Sequence, residues 1–316
     1  MSLRDFSCFR RFFECQRILV VGGSGFIGSS LTHCLLGMGS NVCSLSLHNK
    51  NPSIENVLID WENNETMKEK LTLKHFDLVF NLGGYLNPSR DFKEEKMIID
   101  NHLNGTMNLI QCLNWDAIRL FFHLGSAEEY GHATSPQSEA GYCFPSSAYG
   151  LAKLMATQYC LMQVAVRKLP IVVGRANIAY GPKIHTGLCY YVLLKALANE
   201  KIKLSMGLQK RDFIHIDDLL HGILTIAKGF LEGKIDSGEI FNISNGQEKS
   251  LREFVDLCCT LAKGGKPDFG ALPYRPGESM AVFADIGKIK SKLAWFPTVS
   301  LSDGLRDTIH YLREKK

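Results

Sequence analysis

A tyrosine and a lysine stand four residues apart, at Tyr149 and Lys153, in the sequence SAYGLAKL. Residues at this spacing lie on one face of a helix, about 5–6 Å apart. An ammonium beside a phenol stabilises the phenolate, and so lowers the phenol's pKa from about 10 towards the working pH. Such a phenol can exchange a proton with a substrate hydroxyl. We therefore predict that Tyr149 is an acid/base group and that Lys153 tunes it. Ser126 ends an apolar run upstream and could hold the same substrate oxygen.

The elements that position these groups begin with the sequence RILVVGGSGFIG at residue 17. Four apolar residues indicate a buried strand, and apolar residues at helical spacing follow a glycine-rich turn. Glycines three residues apart permit a tight turn, close approach of a pyrophosphate and close packing of the helix. The first helical turn then offers free N–H groups to phosphates. The cofactor-binding residues predicted here are Gly22, Gly25, Phe26, Ile27 and Gly28.

The choice of dinucleotide depends on the end of the next strand, residues 41–47. An NAD site usually places Asp or Glu there to accept hydrogen bonds from the ribose, whereas NADP needs a neutral residue with a cation nearby. Ser46 and His48 stand at this end and Lys50 follows, which favours NADP over NAD. Asp60 ends another strand and could meet the adenine amino group, or it could simply cap the following helix.

Repeated strand and helix patterns predict the fold class. Strand-like runs at residues 77–84 and 117–126 flank a helical stretch at residues 101–113, which indicates an α/β fold with a Rossmann-type, doubly wound parallel sheet. Ligands lie at the carboxyl ends of such strands. Leu82 and Gly83 stand at one of these ends, where a small residue leaves room for the cofactor.

The chain after residue 174 predicts a smaller C-terminal α/β lobe. Helical patterns at residues 188–199, 217–231 and 250–263 alternate there with short strands such as EIFNI. We therefore expect an N-terminal extension at residues 1–16, a dinucleotide-binding domain at 17–174 and a substrate-binding lobe at 175–316. The cleft between the domain and the lobe is the predicted site.

Composition excludes several classes of function. Thirty-six basic and 32 acidic residues nearly balance, and no long Lys/Arg run indicates nucleic-acid or membrane-surface binding. Ten cysteines are dispersed without a C-x-x-C pair, which predicts no bound metal and a reduced, cytoplasmic protein. The N-terminal extension alternates Phe with Arg and lacks the apolar core of a secretory signal. We expect it to pack on the body or to be disordered, and a short amphipathic helix touching a membrane is the alternative.

Six motifs occur in one order: GGSGFIG, GSAEEYG, YGLAK, RANIAYGP, RDFIHIDD and PYRPGE. Together they resemble the extended short-chain dehydrogenase/reductase family, in particular its nucleotide-sugar epimerase/dehydratase branch, over nearly the whole chain after residue 16. The resemblance implies a role in carbohydrate biosynthesis, with Tyr149 as acid/base and Ser126 on the reacting oxygen. Lys153 would also orient the nicotinamide ribose. The resemblance also implies that the chain crosses between the two lobes more than once, so that the boundary between them is not clean. The residues that would hold the substrate's nucleotide diphosphate are Asn177, Arg211 and Arg275.

Physical chemistry supports the two arginines independently, because a guanidinium pairs bidentately with phosphate. The alternative for Arg211 is an ion pair with Asp212 or Asp217. We instead expect Asp217 and Asp218 to cap and start the next helix. The resemblance further implies a homodimer formed through a four-helix bundle of helices containing residues 103–113 and 151–166.

Three reactions on a nucleotide-diphosphate sugar remain open. Dehydratases of the dTDP-glucose type carry Thr-Asp-Glu where this chain has Ser126, Ala127 and Glu128, so the proton donor is missing and a dehydratase is disfavoured. Glu128 is a further catalytic candidate or a sugar-hydroxyl ligand, and Glu129 is interpreted as solvent-facing or hydroxyl-binding.

The remaining reactions are a 4-ketoreductase using NADPH and a 4-epimerase retaining NAD. The neutral ribose end and the tail DFGALPYRPGESM, which looks like that of deoxysugar 4-ketoreductases, favour the reductase. A non-enzymatic cofactor-sensing or RNA-binding relative is disfavoured, because such relatives usually lose the Tyr or Lys that this chain keeps.

Overall fold

A computed structural model describes residues 2–46, 54–58, 64–84 and 91–315. Its strands, in chain order, are β1 (Arg17–Val21), β2 (Asn41–Ser46), β3 (Glu55–Leu58), β4 (Leu78–Asn81), β5 (Leu120–Ser126), β6 (Ile171–Ala176), β7 (Ile178–Tyr180), β8 (Lys201–Leu204), β9 (Lys210–Arg211), β10 (Phe213–His215), β11 (Ile240–Ile243), β12 (Lys249–Ser250), β13 (Lys266–Phe269) and β14 (Ala281–Val282). Within the described residues, the largest sheet has seven strands in the order β11-β6-β5-β4-β1-β2-β3, all paired in parallel. This order confirms the predicted doubly wound sheet.

The α-helices of the described chain connect these strands. They are α1 (Arg10–Phe13), α2 (Phe26–Gly37), α3 (Asn64–Leu71), α4 (Phe92–Ile99), α5 (Gly105–Cys112), α6 (Ala148–Arg167), α7 (Gly187–Leu197), α8 (Ile216–Leu231), α9 (Leu251–Ala262), α10 (Gly287–Leu293) and α11 (Leu301–Glu314). A π-helical turn, Asp100–Asn104, joins α4 to α5, and a short 3₁₀ helix, Ala127–Glu129, follows β5.

Two apolar cores sandwich the large sheet because successive strand residues point to opposite faces. In β1, Ile18 and Val20 belong to a core shared with α2 and α8. Leu19 and Val21 belong to the core shared with α3, α5 and α6. The strand is therefore buried on both faces, as its uninterrupted apolar run predicts.

The smaller lobe has its own core, built from α7, α9 and α11 around the short strand pair β8–β13. The segment EIFNI, expected in this lobe, lies elsewhere: β11 pairs with β6 at the edge of the large sheet. Phe241 and Ile243 are fully buried there in the same core as α8, because that edge of the sheet supplies apolar partners. The chain thus returns to the first sheet after α8.

The N-terminal extension packs on the body, which confirms one of the three alternatives that the sequence left open. Phe9 and Phe13 are buried in the core that α2 and α8 share. Arg4 forms a 2.6 Å ion pair with the buried carboxylate of Asp218 in the first turn of α8. That helix is capped by His215, so the two aspartates follow the cap instead of forming it.

No helix in the part of the chain that the structure describes combines the length and apolarity needed to cross a bilayer. All ten cysteines lie within the described ranges and are free thiols.

Candidate active site

The glycine turn lets the start of α2 pack closely against the end of β1. Gly22 has a positive φ of 77°, and a Cβ added there would lie 2.8 Å from the Cα of Gly83. A Cβ on Gly28 would lie 2.1 Å from the carbonyl oxygen of Gly22. Gly25 caps α2 without a side-chain hydrogen bond, so the first turn of the helix, which begins at Phe26 and Ile27, has no side-chain cap. This bare helix end fits a dinucleotide pyrophosphate.

The adenosine-ribose end is described in part. Ser46 ends β2 as a buried residue, with its hydroxyl 3.2 Å from that of Ser44. His48, Lys50 and Asp60 lie outside the described residues, so their predicted cofactor roles stay predictions.

Leu82 and Gly83 lie where β4 ends next to β1. The amide of Leu82 donates to the carbonyl of Val21 over 3.1 Å. Both predicted residues therefore border the glycine turn at the carboxyl edge of the sheet.

The three predicted catalytic side chains converge. Ser126 ends β5, while Tyr149 and Lys153 occupy the first turns of α6, which begins after its cap, Ser147. The hydroxyls of Tyr149 and Ser126 lie close enough for hydrogen bonding between them to lower the pKa of Tyr149. Lys153 is 5% exposed, and its ammonium donates to the carbonyl of Leu124 over 2.9 Å.

The electrostatics of this cluster are dominated by burial. Burial lowers the pKa of Lys153 to about 8, against the opposing effect of the Glu129 charge. Burial also raises the pKa of Tyr149, the hydrogen bond to Ser126 lowers it, and the charges of Glu128 and Glu129 raise it. This net direction is opposite to the expected lowering, because a phenolate here would be desolvated beside two carboxylates.

The two glutamates after Ser126 have different environments. Glu128 is exposed, accepts a 3.3 Å hydrogen bond from Ser147, and lies close enough to Arg211 to affect its pKa. Glu129 is fully buried in an ion pair with Arg175, 2.8 Å from Nε to Oε2. The interpretation of Glu129 as a solvent-facing or hydroxyl-binding side chain is therefore wrong.

The predicted diphosphate ligands come from three places. Arg211 lies in β9 and pairs with Glu278, and not with either aspartate considered from the sequence. Burial lowers the pKa of Arg211, and the charge of the exposed Arg275 nearby lowers it further. Asn177 follows β6, and its Oδ1 is buried without a hydrogen-bond partner among the described residues. That atom remains able to accept a hydrogen bond.

Sequence reasoning missed His102, which lies beside the phenol of Tyr149. Its ring packs edge-to-face against Tyr149, with centroids 5.1 Å apart. A Cβ added to Gly84 would lie 2.0 Å from Cε1 of His102. His102 belongs to the π-helical turn, and no local pattern in the sequence signals such a turn.

The parallel sheet, the glycine turn and the Ser–Tyr–Lys cluster define an extended short-chain dehydrogenase/reductase. Residues 18–244 match the NAD dependent epimerase/dehydratase family, and the chain belongs to this family. It is an enzyme of a family whose members act on nucleotide sugars with NAD.

Similar proteins cover most of the chain. A putative UDP-glucose 4-epimerase from Methanocaldococcus jannaschii is 27% identical over 94% of this chain and 98% of its own length. UDP-glucuronic acid decarboxylase 1 from Xenopus tropicalis is 27% identical over 95% of this chain and 73% of its own length. A UDP-glucuronic acid 4-epimerase from Bacillus cereus, solved with UDP-glucuronic acid and NAD, is 25% identical, with a TM-score of 0.85 over 95% of this chain and 100% of that one.

Proposed function

We propose that the protein is an oxidoreductase acting at C4 of a nucleotide-diphosphate sugar, with Tyr149 exchanging the proton of the C4 hydroxyl. The observation that carries this proposal is the convergence of Ser126, Tyr149 and Lys153 at the end of β5. The glycine turn after β1 lies at the same carboxyl edge of the sheet. The nicotinamide, when bound, supplies or accepts hydride. Ser126 holds the reacting oxygen, and the ammonium of Lys153 stabilises the phenolate and binds the nicotinamide ribose.

A 4-ketoreductase is our first candidate reaction. Ala127 is buried where a dehydratase of the dTDP-glucose type would need an acid, and the neutral end of β2 at Ser46 supports NADPH as a consumed reductant. A 4-epimerase that retains NAD is the second candidate, and it is supported by the similarity of this chain to the putative 4-epimerase from M. jannaschii and the 4-epimerase from B. cereus. The substrate is held at its diphosphate by Arg211 and Arg275, with Asn177 accepting a hydrogen bond.

Tyr149→Phe tests the acid/base role. We expect turnover to fall by about 10²–10⁴-fold, the usual contribution of a general acid/base. The control is Tyr159→Phe, on the same helix but packed against the core of α3 and α5. A Tyr149→Phe enzyme as active as wild type would refute the proposal.

The reaction and cofactor are distinguished by one set of assays. The dinucleotide released on denaturation is identified, and nicotinamide absorbance is followed with UDP- and dTDP-sugars and their 4-keto forms. NADPH consumption with a 4-keto sugar supports the reductase. Retained NAD with no net absorbance change and an inverted C4 supports the epimerase. Tighter binding of NADP than of NAD to the cofactor-free protein supports the assignment of Ser46.

We also propose a homodimer formed by α4 and α6, which pack side by side. Large apolar side chains are exposed on both helices: Phe92, Met97, Leu151, Met155, Met162 and Val166. Residues 103–113, which the structure describes in full, have no large exposed apolar side chain, whereas Phe92 and Met97 on α4 are exposed, so we place α4 in the bundle instead of the helix at residues 103–113. Met155→Lys should convert a dimer to a monomer in analytical ultracentrifugation. A wild-type monomer at micromolar concentration would overturn the assignment.

A further inference from the structure

Glu129 is a buried carboxylate that the proposed reaction does not use directly. Its Oε1 accepts hydrogen bonds from the backbone amide of Ser126 over 2.9 Å and from the hydroxyl of Thr157 over 3.1 Å. Its Oε2 accepts from Nε of Arg175 over 2.8 Å. One side chain therefore ties together the ends of β5 and β6 and the middle of α6.

The bond to Thr157 matters because of its place on the helix. Tyr149, Lys153 and Thr157 are spaced four residues apart, so they share one face of α6. Glu129 thus holds this face of the helix at a set distance from Ser126, whose hydroxyl lies close to that of Tyr149.

The pocket around Glu129 is built to receive a charged pair. A Cβ on Gly125 would lie 2.3 Å from Oε1, so only glycine at that position leaves room for the carboxylate. The guanidinium of Arg175 stacks 4.5 Å from the ring centroid of Tyr130, whose hydroxyl donates to Asn242 over 2.8 Å. Burying an ion pair costs desolvation free energy, so that its net contribution to the free energy of folding is small or unfavourable.

We propose that the Glu129–Arg175 pair is a positioning device for the acid/base cluster, which sets both its geometry and the protonation of Tyr149 and Lys153. The inference builds on the proposed function, and Glu129 itself touches no substrate. Its negative charge raises the pKa of Tyr149 and of Lys153. The titratable and charged groups that face it are Arg175 on β6, Tyr149, Lys153 and Cys160 on α6, and Tyr130 and Cys143 in the loop between β5 and α6.

Glu129→Gln removes the charge while keeping the shape. We expect the pH midpoint of turnover assigned to Tyr149 to move about one unit lower, because a nearby like charge no longer opposes the phenolate. The matched control is Asp218→Asn, a buried carboxylate in the first turn of α8 that bonds to Arg4 and to the amides of Thr298 and Val299. This control should lose stability without moving the pH midpoint. An unchanged midpoint in Glu129→Gln would overturn the proposal.

Thr157→Val tests the geometric part and also serves if Glu129→Gln does not fold. It removes one hydrogen bond to Glu129 and leaves every charge in place. We expect kcat to fall by up to about 10²-fold, as for a small misplacement of catalytic groups, with KM unchanged. A wild-type kcat would refute the positioning role.

A readout without turnover separates this inference from the proposed function. The difference in stability between the protein and its Lys153→Met variant begins to rise with pH near 8, the pKa of Lys153 in the folded state. In the Glu129→Gln background the same difference should begin to rise at a lower pH. If the wild type turns over no nucleotide sugar yet this shift occurs, the proposed function fails while the electrostatic role of Glu129 stands. If the shift is absent, that role fails.

Discussion

Lys153→Met should make the folding free energy lose a specific dependence on pH. Burial lowers the pKa of Lys153 from 10.5 to about 8. One pH unit corresponds to about 1.4 kcal/mol, so the charged ammonium costs the folded state about 3 kcal/mol relative to the unfolded chain. The side chain is 5% exposed, so solvent screens little of this cost.

The sign of the pH dependence follows from proton binding. Below pH 8, Lys153 is charged in both states, and the folded state bears the full penalty. Between pH 8 and 10.5 the folded state has released the proton that the unfolded chain still binds, so stability rises with pH. Wild type should therefore gain about 2 kcal/mol over Lys153→Met between pH 8 and 9.5.

Urea unfolding of both proteins at half-unit intervals from pH 7 to 9.5 measures this difference. Taking the difference cancels the titration of all groups that the two proteins share. Lys201→Met, at an exposed position of β8, is the control that measures how removal of a surface lysine changes the free energy of unfolding. A wild-type minus Lys153→Met difference that stays flat over this range would show that Lys153 is not desolvated as the structure describes.

Two further substitutions test the fold around the site. Gly28→Ala should abolish dinucleotide binding and destabilise the protein, because the added Cβ would meet the carbonyl of Gly22. Its control is Gly37→Ala, whose Cβ would have no atom within 4 Å; this variant should bind the dinucleotide normally and gain about 0.5–1 kcal/mol in free energy of unfolding. Calorimetric titration measures the binding and thermal melting measures the stability. Phe13→Ala should cost about 3–5 kcal/mol in urea unfolding, since this side chain of the N-terminal extension is fully buried, while Leu73→Ala, 85% exposed, should cost little. Equal stability of the Phe13 and Leu73 variants would show that the extension does not pack on the body.

The sequence alone identified the parts of the site whose signals are local. A run of apolar residues, a turn spaced by glycines and a helical period predicted β1, α2 and the close packing of this helix against the strand at Gly28. The i, i+4 spacing placed Tyr149 and Lys153 on one face of α6. Such patterns suffice because strand and helix periods are properties of neighbouring residues.

The tertiary structure decided which charges are buried and which groups they meet. Glu129 follows a strand end, where a local pattern suggests exposure, yet it pairs with Arg175 on another strand. Arg211 likewise found its carboxylate at Glu278, far along the chain. Burial also reversed the expected direction of the pKa of Tyr149. The pKa and the partner of a charged side chain depend on desolvation and on contacts between residues distant in sequence, and neither has a period that neighbouring residues could reveal.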